Sequence, residues 1–161
     1  MKNKYTIVDG VAYVSDAKGN QFMVDADDID RIKICSWYRE NRKGYFLGTI
    51  SGKHVRLHRF LLGEPDGLVD HINRNKSDNR KQNLRVCTVT ESNWNRGVQK
   101  SNKIGIKGVA LCSSRHGAKR YRAQINVDGK RIRLGWFDNV EEAQAVYEEA
   151  AKKYFGEFAP T

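Results

Sequence analysis

The chain has 161 residues, enough for one domain or two small ones. Hydrophobic residues make up 39% and charged residues 30%, so any core is modest, and no apolar run is long enough to span a membrane. The formal charge of +10 points to a polyanionic partner, because phosphate neutralisation is the usual use of such an excess.

That charge is unevenly spread. Residues 1–50 carry eight basic and seven acidic side chains, residues 51–100 ten and five, and residues 101–135 nine and one. Cys35, Cys87 and Cys112 are odd in number, far apart and without a Cys-x-x-Cys pair. This argues against a disulfide framework and against structural zinc. Met1-Lys2-Asn3-Lys4 is not followed by a signal-type apolar stretch, so a soluble, reduced, cytoplasmic protein is expected.

Taken in order, residues 1–56 are short apolar runs between turn signals. Tyr5-Thr6-Ile7-Val8 and Val11-Ala12-Tyr13-Val14 flank Asp9-Gly10, a strong hairpin signal. Lys18-Gly19-Asn20 predicts a second turn before Gln21-Phe22-Met23-Val24. Asp25 or Asp27 is expected to cap a short helix through Ile29, Ile32 and Cys35. Tyr45-Phe46-Leu47 and Val55-Arg56-Leu57 are expected strands, with Trp37 and Tyr38 in the core. No site chemistry is visible here, and support of the next segment is the expected role. His54 and His116 are expected to be exposed. His58, between Leu57 and Phe60-Leu61-Leu62, is expected to be buried and hydrogen-bonded.

The segment from 68 to 95 is the chemical centre. Leu68-Val69 and Leu84-Arg85-Val86-Cys87-Thr88 read as strands around a polar loop, Asn73-Arg74-Asn75-Lys76-Ser77-Asp78-Asn79. Thr90 is expected to cap a short helix holding Glu91, Asn93 and Trp94. Asp70 and His71 are neighbours, and in a regular strand they would point to opposite faces. Both serve one site only if the strand bends or ends there, so an irregularity is expected at residues 70–73. An acid, an imidazole and several amides in this order suit a hard divalent cation beside a general base.

Residues 97–106 are polar and basic and read as a linker, with Lys100 and Lys103 placed to meet phosphates. Beyond it, Val109-Ala110-Leu111, Arg120 to Val127 and Lys130 to Leu134 predict three strands, with Asp128-Gly129 as a tight turn. Tyr121, Ala123, Ile125 and Val127 share one face; Arg120, Arg122, Gln124 and Asn126 share the other, and Ile132 and Leu134 oppose Arg131 and Arg133. Trp136 is expected in the core. Asp138 is the expected N-cap of a helix with Ala143, Val146, Tyr147, Ala150, Ala151 and Tyr154 at helical spacing and Gly156 as its stop. Its glutamates, Glu141, Glu142, Glu148 and Glu149, suit the side away from a polyanion, leaving the basic sheet face for the ligand.

Leu57-His58-Arg59-Phe60-Leu61-Leu62, Val69-Asp70-His71-Ile72-Asn73, Asp78-Asn79-Arg80, Asn83-Leu84-Arg85 and Asn93-Trp94-Asn95 together resemble an HNH endonuclease of the small phage and intron-borne type. The resemblance implies a ββα-metal fold and metal-dependent hydrolysis of phosphodiester bonds in double-stranded DNA. It implies His71 as general base, and Asp70 and Asn93 as ligands of one divalent cation, Mg²⁺ first and Mn²⁺ as the alternative. Asn95, two residues on, stays open as the second ligand. Asn83 is implied to tie the loop and orient the histidine, Asn79 to order the loop, and His58 to support the site by packing. Some HNH proteins carry a zinc site; this sequence lacks its cysteines. A phage-infected bacterial cell is the setting that the resemblance suggests.

Gly108-Val109, Tyr121-Arg122-Ala123-Gln124-Ile125, Leu134-Gly135-Trp136-Phe137 and Phe155-Gly156-Glu157-Phe158-Ala159 resemble an APETALA-type (ethylene-response-factor) DNA-binding domain, which lays a three-stranded sheet in the major groove. That resemblance implies Arg120, Arg122, Gln124, Arg131 and Arg133 as the DNA-contacting set. Arginine suits guanine and amides suit adenine. The expected class is α+β. A β-rich N-terminal region with the HNH module fills residues 1–96 (core about 54–96), a linker fills 97–106, and a three-stranded antiparallel sheet on one helix fills 107–161. One site cuts one strand, so a monomer is expected to nick and a homodimer to break both strands. The rival expectation is a catalytically silent DNA-binding protein, a regulator or phage packaging accessory.

Overall fold

The Asp9-Gly10 turn closes the first hairpin with left-handed φ angles of 48° and 76°, as a two-residue type I′ connection requires. In the computed structural model, which describes residues 2–113 and 119–159, this hairpin joins β1 (Lys4–Val8) to β2 (Val11–Ser15). β3 (Gln21–Asp25) completes an antiparallel sheet with the order β1-β2-β3. Strand alternation fixes the faces: Ala12, Val14, Phe22 and Val24 are buried, while Tyr13 between them is exposed.

A 3-10 turn at Ala26–Asp28 leads into α1 (Ile29–Ile32). Asp25 makes no side-chain cap bond there. Its Oδ2 accepts the Lys81 backbone N–H at 2.8 Å instead, so this carboxylate fastens a distant loop rather than a helix start. The helix is also shorter than expected and ends before Cys35. β4 (Tyr38–Arg39), β5 (Phe46–Ile50) and β6 (Lys53–Arg56) form a second antiparallel sheet. Gly48 in β5 is obligatory, since a Cβ there would collide with Cys35 Sγ and stand 3.0 Å from the Trp37 ring. Trp37 is buried and donates its Nε1–H to Ile32 O at 2.8 Å, so this large ring leaves no donor unsatisfied.

The third expected strand stops at Arg56. Leu57 instead begins α2 (Leu57–Leu61), which turns Leu57, His58 and Leu61 inward. Leu57 and Leu61 join Phe22, Ile32, Trp37 and Phe46 in one core, with the Phe22 and Phe46 ring centroids 4.6 Å apart. β7 (Leu68–His71) and β8 (Leu84–Cys87) then pair antiparallel.

The chain divides into two compact units, residues 1–88 and 89–161. The second opens with α3 (Val89–Trp94). Thr90 lies inside this helix rather than capping it. β9 (Val109–Ser113), β10 (Lys119–Val127) and β11 (Lys130–Phe137) form an antiparallel sheet in the order β11-β10-β9. α4 (Val140–Phe155) packs on it and buries Ala143, Tyr147, Ala150 and Ala151, while Phe155 stacks on Trp94 of α3 with ring centroids 4.6 Å apart. Its N-cap is Asn139, whose side chain accepts the Glu142 N–H at 2.8 Å. The expected cap, Asp138, is drawn aside into an ion pair with Arg120 at 2.9 Å.

Gly108 takes φ 73°, and a Cβ there would enter the Tyr147 ring and stand 2.6 Å from Gln124 O. The preceding segment is better ordered than a linker. Asn102 donates Nδ2–H to Ile106 O and Val109 O at 2.7 and 3.0 Å and accepts the Ile104 N–H at 3.0 Å. The class is α+β. Among the described residues no helix is long and apolar enough to cross a membrane. His116 lies outside the described residues, whereas His54 is exposed, with Nδ1 3.3 Å from Thr49 Oγ1.

Candidate functional site

β7 ends at His71, within the stretch where an irregularity is expected. The backbone turns at once: Ile72 N–H donates to Asn83 O at 2.9 Å, Arg74 N–H to His71 O at 2.9 Å, and Arg74 takes φ 62°. Asp70 pairs with Arg85 and His71 with Leu84 across the β7–β8 ribbon. Directly paired residues share a face, and Arg85 Nη2 stands 3.3 Å from Asp70 Oδ2. The Arg85 and Asp70 side chains are only 11% and 17% exposed, so the carboxylate is shielded as well as paired.

His71 is 3% exposed. Its Nε2 lies 3.2 Å from Asn79 Oδ1. The Asn79 amide is oriented by its other end, because Nδ2–H donates to Lys76 O at 3.2 Å. With the amide oxygen facing the ring, Nε2 must carry the hydrogen, and Nδ1 is the lone-pair nitrogen. Burial pushes the His71 pKa down, against the opposing pull of the Asn79 bond and the Asp70 charge, so the ring is neutral at physiological pH. A neutral, fixed imidazole is what a general base requires.

Asn83 does different work. Its Oδ1 accepts the Asn73 N–H at 2.9 Å, and its Nδ2 donates to Asn73 Oδ1 at 2.9 Å and Asp78 O at 2.8 Å. It ties the loop, and the ring is oriented by Asn79. Asp78 closes the same loop: Arg80 donates to both its oxygens, at 2.8 and 2.7 Å, and Asn73 Nδ2 adds a third bond at 3.0 Å. The Arg80 guanidinium holds the Asp78 carboxyl below the usual range, more than offsetting burial.

The loop is fastened to β3. Met23 N–H donates to Ser77 O at 2.7 Å, Asn79 N–H donates to Met23 O at 2.8 Å, and Lys81 Nζ pairs with buried Asp28 at 2.9 Å. The N-terminal sheet therefore holds the residue that orients His71.

His58 is also 3% exposed, on α2, and its ring centroid is 5.1 Å from that of His71. Its Nδ1 has no hydrogen-bond partner among the described residues, which departs from the hydrogen-bonded histidine expected here. Burial, then the nearby His71 and the Arg56, Arg59 and Lys76 charges, push its pKa down to about 3, so it acts as a neutral packing ring. Tyr45 was invisible as a site residue in the sequence. Its ring lies 4.9 Å from His58 and 6.1 Å from His71, with the Lys76 amine 4.3 Å from its centroid. A tyrosine heading an alternating strand carries no signal of this. Arg85 was missed because its meeting with Asp70 depends on ribbon register.

Asn93 is exposed on α3 and Asn95 is buried just after it, both in the second unit. There, Asn93, Lys103, Lys107, Gln124, Asn126 and Arg131 border a cavity of about 940 Å³. Lys107 Nζ is committed to the carbonyls of Trp94 and Arg96 at the end of α3. Lys100 and Lys103 are exposed.

On the sheet, Gln124 pairs with Arg133, Asn126 with Arg131 and Arg122 with Trp136, so these six side chains share one face. A bulge makes this possible. Ala123 faces Gly135 while Gln124 faces Arg133, so Leu134 is extra and alternation shifts by one residue. Trp136, expected in the core, is thereby turned to the arginine face. It is 48% exposed, with the Arg122 guanidinium 5.8 Å from its ring centroid.

Residues 51–93, which contain Asp70, His71, Asn79, Asn83 and Asn93, match the family model of the HNH endonucleases. An uncharacterized HNH endonuclease of Acanthamoeba polyphaga mimivirus is 28% identical over 165 aligned positions, covering 96% of this chain and 83% of that protein. Protein 3.8 of Escherichia phage T7 is 29% identical over 109 positions, covering 66% of this chain and 87% of that protein.

Proposed function

We propose that the chain is a metal-dependent DNA endonuclease of the HNH type, homing-endonuclease-like, hydrolysing phosphodiester bonds in double-stranded DNA. The observation that carries this reading is the buried, neutral His71 ring, oriented by Asn79 and adjacent to Asp70, inside a segment that matches the HNH model. His71 Nδ1 takes the proton of the attacking water, a step typically worth roughly 10²–10⁴ in rate. Asn79 keeps the lone pair aimed, and Asn83 with Asp78 keeps the loop from yielding.

The donor set fits a hard cation. A carboxylate with an amide oxygen leaves positions for phosphate and water, which suits Mg²⁺, with Mn²⁺ as the alternative. Asp70 and Asn93 would hold it, with Asn95 as the other candidate. When bound, the ion supplies charge neutralisation at the phosphate and at the leaving oxygen.

The C-terminal sheet is the DNA-reading surface in this proposal, an APETALA-type domain using Arg120, Arg122, Gln124, Arg131 and Arg133, with Lys100 and Lys103 on the backbone. Arginines and amides on one face with every α4 glutamate exposed elsewhere support it. One observation favours the rival, a silent DNA-binding protein: the Asp70 carboxylate is already engaged by Arg85. Conversion of supercoiled plasmid to open circle, with and without Mg²⁺ or Mn²⁺, separates the two. Metal-dependent cutting by wild type and its loss in His71→Ala and Asp70→Ala are expected. Full activity in either variant would overturn the site, and no cutting of target-containing DNA under any metal would favour the rival.

A further inference from the structure

All five residues of β1 are exposed, and three of them are large and apolar: Tyr5 is 41%, Ile7 50% and Val8 51% exposed, with Tyr13 on the neighbouring strand at 42%. Tyr5 and Ile7 sit opposite Val14 and Ala12, both fully buried. The inner face of this sheet therefore runs out from the core into solvent at its edge. Soluble proteins blunt such edges with charge, proline or a covering element. Here the edge reads Lys4-Tyr5-Thr6-Ile7-Val8, with one charge at its start and an aromatic or β-branched residue at every position after it.

The backbone at this edge is unsatisfied in a defined way. The two-residue turn makes Val8–Val11, Thr6–Tyr13 and Lys4–Ser15 the hydrogen-bonded pairs of the hairpin. The N–H and C=O of Tyr5 and Ile7 consequently point away from β2, and among the described residues nothing accepts or donates to them.

We infer that β1 is a homodimer interface, pairing antiparallel with β1 of a second copy about a two-fold axis through Thr6. In this register Tyr5 of each copy lies opposite Ile7 of the other. Those are the residues with outward-pointing groups, so four hydrogen bonds form. Thr6 faces Thr6 across the axis, and the two three-stranded sheets become one of six strands. Such self-complementarity is what an isologous contact demands.

Charge selects the same occupant. Asp9 of one copy falls opposite the stretch of the other where Lys2 and Lys4 lie, and none of these three has an ion pair among the described residues. Residues 1–50 are nearly neutral, with eight basic and seven acidic side chains. A second copy of a +10 chain meets little repulsion here, and a polyanion gains little. The inference does not rest on the nuclease reading. If both hold, the dimer carries two cutting sites.

The register makes the test specific. Thr6–Thr6 is a non-hydrogen-bonded pair, with Cα atoms about 4.5 Å apart, inside disulfide range. Tyr13, on the same face one strand inward, would be separated from its counterpart by roughly three strand spacings of about 4.8 Å. With nucleic acid stripped from the preparation, wild type should show a concentration-dependent monomer–dimer transition in sedimentation. Thr6→Cys should form an interchain disulfide on mild oxidation, and Tyr13→Cys should not. Ile7→Pro takes away an outward-facing donor on an edge strand, so it should abolish the dimer while the monomer keeps the far-UV circular dichroism spectrum of folded wild type. A wild type that stays monomeric at all concentrations, or Thr6→Cys and Tyr13→Cys cross-linking alike, would overturn the interface.

Discussion

Asp70 and Arg85 meet directly across the β7–β8 ribbon, carboxylate and guanidinium 3.3 Å apart and both mostly shielded from water. On the nuclease reading, in which Asp70 holds a metal ion, the pair presents the carboxylate in one orientation and such a partner tunes the ion's affinity; on the rival reading it occupies the carboxylate. Arg85→Gln is expected to lower cleavage by roughly 10–100-fold and to raise the Mg²⁺ concentration for half-maximal activity, with DNA affinity retained. A magnesium titration of nicking, beside a binding isotherm, checks this. Unchanged magnesium dependence would remove Arg85 from the site.

Asn79 and Asn83 separate orientation from stability. Asn79→Ala releases the His71 ring, so cleavage should fall by about 10–100-fold. Asn83→Ala removes three hydrogen bonds from a buried loop and should cost about 1–3 kcal/mol of stability, visible as a lower urea midpoint. Equal effects of the two variants on both readouts would contradict the division.

Asp78 predicts the acid response of the loop. Its folded pKa is lowered, chiefly by Arg80, so its contribution is fully present above the unfolded value of about 3.9. It is lost as pH falls through the folded value. Asp78→Asn should be less stable than wild type near pH 7, and the gap should close as the buffer is acidified below about pH 4. Urea midpoints at a series of pH values measure this, and a gap constant with pH would refute it.

On the sheet, Arg122 and Arg133 flank the bulge on the face that carries Trp136. Replacing both with alanine should weaken DNA binding and reduce the slope of log affinity against log salt by roughly 0.9 per lost phosphate contact. A slope unchanged within error would place the contact surface elsewhere.

Much of this was legible in the chain. Asp9-Gly10 announced a hairpin because only a primed turn suits those residues, and the alternation in Arg120 to Val127 separated the faces of β10. The motif residues Asp70, His71, Asn79 and Asn83 were visible by order, and all four lie in the first unit. What escaped depended on register or on long-range contacts. Trp136 was misplaced because one extra residue at Leu134 inverts parity; Gly135 beside it, an isolated glycine within a strand, was the local signal of that bulge. Asn79 rather than Asn83 meets the ring because the loop's path sets their partners. Asp138 lost its cap to Asn139 because Arg120, eighteen positions earlier, draws its carboxylate away.

The docking of the polar loop on β3 limits how this nuclease motif can travel. Ser77 and Asn79 hang from Met23, and Lys81 from Asp25 and Asp28, across more than fifty positions of sequence. A segment cut out at residues 51–93 would keep Asp70, His71, Asn79, Asn83 and Asn93 yet lose the scaffold that holds Asn79 beside the histidine. Transplanted alone into another protein, the cassette would leave Asn79 without its β3 anchor; on the proposed reading, the heritable unit reaches back to the first hairpins.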